Sequence, residues 1–143
     1  METSKGFIDG NRSGNDYVYD ANGNMTVDNN KGITLITYNY LNQPQQVNRN
    51  TGEKMIFTYD ASGKKLSQQV YNASGALTKT TDYVGEFIYQ NDTLQFISHE
   101  EGRVVMKNIA GPEYQYHLKD HLGNVRLTFT TQPGKDTNTG TFE

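Results

Sequence analysis

Met55-Ile56-Phe57-Thr58-Tyr59-Asp60-Ala61-Ser62-Gly63-Lys64-Lys65-Leu66-Ser67-Gln68-Gln69-Val70 is the stretch that decides the fold class. Met55, Phe57 and Tyr59 alternate with Ile56 and Thr58, and Leu66 and Val70 share a face further on, so two runs carry the period-two signature of half-buried strands. Between them, the Asp60 side chain can accept hydrogen bonds from backbone N–H groups two or three residues on. Gly63 can take the left-handed conformation that closes the turn. The stretch reads as a β-hairpin.

The same pattern recurs along the chain. Tyr19-Asp20-Ala21-Asn22-Gly23, Tyr38-Asn39-Tyr40-Leu41-Asn42, Tyr59-Asp60-Ala61-Ser62-Gly63 and Tyr71-Asn72-Ala73-Ser74-Gly75 all place Tyr, then Asp or Asn, then two residues, then Gly or Asn. The acceptor at Asp20, Asn39, Asp60 and Asn72 orders each turn, and Gly23, Asn42, Gly63 and Gly75 permit it. A fifth reversal at Asp120-His121-Leu122-Gly123 lies between Tyr114, Tyr116, Leu118 and Val125, Leu127, Phe129, two triplets able to face each other. A weaker pair spans Phe87 to Phe96 with Asn91-Asp92 at its turn, and a further strand is predicted from Arg103 to Ile109.

Composition supports an all-β chain. The hydrophobic share is 34%, with 14 Gly and 10 Tyr among 143 residues, and no twelve-residue window shows helical apolar spacing. The predicted fold is a series of antiparallel hairpins forming a curved or spiralling sheet. The repeat region runs from 16 to 130, ending in the hairpin 112–130, with flexible segments expected at 1–15 and 131–143. The net charge is −3 and the 13 Lys and Arg are scattered, which argues against nucleic-acid binding. With no Cys, disulfides and thiolate chemistry are excluded. The chain shows no apolar run long enough for a signal peptide or a membrane span.

Candidate chemistry is sparse. His117 and His121 would share a face on a helix, but here they fall in a strand and a turn, so no metal site is expected. Glu100 and Glu101 precede Gly102 and read as a solvated loop rather than an acid-base pair. Asp20, Asn22, Asn24, Thr26 and Asp28 alternate as calcium ligands do, yet the glycine and the twelfth residue, Lys31, depart from the calcium-loop pattern. No catalytic residue and no cofactor is expected. The tyrosines fit one of two roles. In the first, Tyr19, Tyr38, Tyr59, Tyr71 and Tyr116 pack one hairpin on the next; in the second, an exposed tyrosine row binds glycans or a protein partner.

The Tyr-Asp-x-x-Gly turn resembles the YD repeats of the RHS family over most of the chain. The segment from Tyr116 to Arg126, with Asp120, Leu122, Gly123 and Arg126, looks like the opening of the RHS repeat-associated core. This resemblance implies a secreted or surface-delivered protein whose hairpins build a hollow β-shell, which in bacterial polymorphic toxins encloses or delivers a C-terminal effector. The partners it implies are further repeats or a toxin domain of the same protein. The self-cleaving part of that core has no counterpart, since the chain contains no Asp-Pro dipeptide. Each hairpin also leaves unpaired edges, so self-association through sheet edges is expected.

Overall fold

The computed structural model describes residue 10, residues 14–107 and residues 111–130. Among these the secondary structure is entirely β. There are twelve strands, which follow one another in the sheet in chain order. The chain divides into two compact units, residues 1–80 and 81–143.

The first unit contains β1 (Tyr17–Tyr19), β2 (Met25–Asp28), β3 (Ile33–Tyr38), β4 (Pro44–Arg49), β5 (Lys54–Tyr59) and β6 (Lys65–Tyr71). Its apolar side is one cross-strand row in which Ile36 pairs with Val47, Val47 with Met55, and Met55 with Val70. This row follows directly from the alternation, because a strand puts every second side chain on the same face. Ile36 and Val47, 7% and 8% exposed, are the buried hydrophobics among the described residues. Such a thin core means that side-chain ties between hairpins carry much of the specificity.

β7 (Leu77–Val84) spans the division between the units. The second unit continues with β8 (Phe87–Gln90), β9 (Thr93–His99), β10 (Gly102–Lys107), β11 (Gly111–Lys119) and β12 (Val125–Thr130). β8 and β9 are joined by a two-residue turn in which Asn91 and Asp92 both have positive φ, 48° and 62°. The strand predicted from Arg103 to Ile109 occupies 102–107 as far as it is described; Asn108 and Ile109 lie outside the described residues. β11 and β12 pair Tyr116 with Phe129 and Leu118 with Leu127, which share one face, whereas Val125, expected to complete that row, pairs with Lys119 because a bulge shifts the register beside the turn. The terminal segments expected to be flexible fall mostly outside the described residues, although Gly10, Gly14 and Asn15 are within them.

Candidate functional site

The turns are the chemically richest part of the molecule. In the first, Asp20 Oδ1 accepts from the backbone N–H of Asn22 (2.9 Å) and of Asn24 (2.8 Å), and the Gly23 N–H donates to the Asp20 carbonyl (3.1 Å). The side chain thus takes the N–H groups two and four residues on, not two or three. The third N–H already belongs to the backbone turn. Asn39, Asp60, Asn72 and Asp120 accept from the same two positions. Gly23, Gly63, Gly75 and Gly123 have φ of +82° to +87°, and Asn42 takes +57°. This is a three-residue loop closed by a left-handed residue.

The carboxyl groups of Asp20 and Asp120 are held below their ordinary pKa chiefly by the side-chain amides of Asn24 and Asn124, with the turn N–H groups adding to the effect. The Ser62 hydroxyl leads the same lowering at Asp60. Hydrogen bonds to the ionised form are the common cause. In four hairpins among the described residues the bonding is followed by a bulge, where Tyr19 pairs with Met25, Tyr38 with Pro44, Tyr59 with Lys65 and Lys119 with Val125. In the last hairpin the extra residue is Arg126, whose Nε donates to Asp120 Oδ2 at 2.9 Å.

Turns at one end of the strands are tied to one another. The amides of Asn22 and Asn24 donate to Asn42 Oδ1 (3.1 and 2.9 Å), and Gln43 Nε2 donates to the Gly63 carbonyl (2.7 Å). The Tyr40 hydroxyl reaches the Ala61 carbonyl (3.1 Å). Beneath this ladder two tyrosines act alike. Tyr38 donates to the Met25 carbonyl (2.6 Å) and Tyr59 to the Pro44 carbonyl (2.9 Å). Both hydroxyls have raised pKa values, first because of burial and, at Tyr38, also because of the Asp20 charge. Each of these tyrosines therefore staples its hairpin to the one before.

The remaining tyrosines behave differently. Tyr19 is 58% exposed. Tyr71 donates to Gln69 within its own strand (3.0 Å), and its turn sits at the opposite end of the strands from the Asp20, Asn39 and Asp60 turns. The reason is spacing: about twenty residues hold two strands and return the chain to the same end, whereas twelve hold only one. Tyr116 stacks on Phe129 at 5.5 Å and meets the edge of His99 at 6.1 Å.

His117 lies on β11 and shares a hydrogen bond with Thr128 Oγ1 (2.9 Å). Its pKa is lowered by burial first and then by Arg103, Lys119 and His99. His121 sits in the exposed turn. Among the described residues no group of three His, Asp or Glu side chains is placed to hold a metal ion. Asp20 and Asp28 do not share a loop, because Asp20 lies in the first turn whereas Asp28 ends β2 and accepts from the Lys31 N–H (3.1 Å).

Three features escaped the sequence reading. Arg49-Asn50-Thr51-Gly52 forms the same backbone turn without an Asp or Asn at its first position, and the Glu53 carboxylate instead accepts from the Arg49 guanidinium (3.2 Å) and the Thr51 hydroxyl (3.0 Å). Glycine at the fourth position was the available signal. Asp28 and Glu113 are each 1% exposed. Glu113 is paired with Lys107 and accepts from Gln115 Nε2 (2.7 Å), while Arg103 Nε donates to Gln115 Oε1 (2.8 Å). Polar alternation along a strand gives no sign of such burial.

An open concavity of about 640 Å³ lies beside the ladder, lined by Thr37, Tyr40, Gln46, Ile56 and Thr58 among others, with the Tyr40 residue 77% exposed. No family model and no curated protein matches the chain. Among the described residues no helix is long and apolar enough to cross a membrane.

Proposed function

We propose that this chain is a non-catalytic structural segment of an RHS/YD-repeat β-shell, of the kind that encloses or delivers a C-terminal effector in a secreted or surface protein. The observation that carries this reading is the repeated staple. Tyr38 to Met25 and Tyr59 to Pro44 join successive hairpins through one geometry, and the amide ladder joins their turns. A hairpin that buries little by itself gains stability from neighbours of its own kind, which is the logic of a repeat assembly. Extending the coding sequence past Glu143 tests the reading. An Asp-Pro-x-Gly core followed by a dissimilar domain supports it, and an unrelated fold without further Tyr-Asp-x-x-Gly turns counts against it.

Tyr40 favours a second reading, a glycan- or protein-binding surface. Where three other copies of the turn carry Ala, this one places a largely exposed ring beside a polar concavity. Loss of binding in Tyr40→Ala on a glycan array, with unchanged melting, would favour that role.

A further inference from the structure

Among the described residues the staple has one unused half at each end of the sheet order. Tyr38 and Tyr59 each stand directly before a turn residue, Asn39 and Asp60. Each donates to the carbonyl five residues after the preceding turn residue at that end, Met25 after Asp20 and Pro44 after Asn39. Tyr19 stands in the same place, directly before Asp20 on β1, and its ring is largely exposed. Val125 stands in the complementary place, five residues after Asp120, at the start of β12 and also exposed. Among the described residues β1 pairs with β2 alone and β12 with β11 alone.

Among the described residues neither edge is guarded in the usual way. Sheets block edge pairing with lysines, prolines or inward charges. β1 reads Tyr17-Val18-Tyr19, and the one charged side chain of β12, Arg126, is tied back to Asp120. Strand direction also matches, since within the chain each stapled pair joins the second strand of one hairpin to the first strand of the next, antiparallel.

We propose that β1 of one copy docks antiparallel against β12 of a second copy, with the Tyr19 hydroxyl donating to the Val125 carbonyl of that copy. Such a contact is heterologous, so it joins copies head to tail rather than as a two-fold pair. It rests on the reading that hairpins are stapled through their tyrosines. Mass reports stapling between copies and melting reports it within one, so the two readings fail separately.

The test is sedimentation velocity across a concentration series, using Tyr19→Lys to block β1 and Leu127→Lys to block β12, both at exposed positions. The unaltered chain should gain mass with concentration. Each blocked variant alone should stay monomeric, and an equimolar mixture should form a dimer through the two intact edges. Tyr19→Phe, which keeps the ring and whose folding circular dichroism checks, should weaken association about fivefold. The proposal is overturned if the unaltered chain stays monomeric, if Tyr19→Lys dimerises alone, or if the mixture of folded variants stays apart.

Discussion

Oδ1 of Asp60 holds the N–H groups of Ser62 and Lys64 and the Ser62 hydroxyl at once, so the turn depends on an acceptor oxygen rather than on a charge. Asn39 and Asn72 do the same with an amide. Asp60→Asn should therefore be nearly neutral at pH 7, while Asp60→Ala, which leaves the Ser62 and Lys64 N–H groups without their acceptor, should lower the midpoint of chemical denaturation. Glycine is required for two separable reasons. A side chain at Gly75 would pay the left-handed backbone alone, with no atom within 4 Å of an added Cβ, whereas one at Gly63 would also meet Leu41 and Gln43 at 3.1 Å. Gly75→Val should cost about 1–2 kcal/mol and Gly63→Val about 2–4 kcal/mol, against less than about 0.5 kcal/mol for the exposed Lys64→Ala. Equal melting of the two valine variants would remove the turn-to-turn contact from the account.

Hairpins respond to pH through the same atoms. Asp20, Asp60 and Asp120 have depressed values in the fold, so the stability they contribute is complete above the ordinary carboxylate pKa and is lost as pH falls through the lower folded values. His117, also lowered, acts in the same direction at higher pH: its contribution is complete above its unfolded value and is lost as pH falls through the window below about 6.5. A variant with Asn at 20, 60 and 120 should melt with a shallower loss below about pH 4 than the unaltered chain, and His117→Gln should flatten the step below about pH 6.5. Tyr38 and Tyr59 have the opposite sense, since their raised values favour the fold at neutral pH and that gain fades as pH rises past about 10. Ultraviolet titration should show Tyr38 and Tyr59 ionising above the ordinary tyrosine value, a late phase that Tyr38→Phe and Tyr59→Phe each reduce.

At this scale much was legible in the sequence. Asp20, Asp60 and Asp120 announced their turns because Asp, two spacers and Gly leave the backbone few alternatives, and Met55, Phe57 and Tyr59 announced a strand by alternation. The Arg49 turn was hidden because Arg, with no acceptor side chain, stands at its first position, and Glu53 ties the loop only through the Arg49 and Thr51 side chains. The placement of Tyr71 was hidden until strand length decided which end of the sheet its turn would reach.

Across the molecule, tyrosine hydroxyls hold hairpin to hairpin over a core in which Ile36 and Val47 are the buried apolar side chains among the described residues. Where the hydroxyl meets a neighbouring strand, its loss should be felt, and where the tyrosine stands at the end of the order, it should not. Calorimetry of Tyr19→Phe, Tyr38→Phe and Tyr59→Phe, each at a concentration dilute enough for single copies, tests this directly. The account predicts that Tm falls by about 2–5 °C in Tyr38→Phe and Tyr59→Phe and stays unchanged in Tyr19→Phe; equal shifts in all three, or none in any, would contradict it.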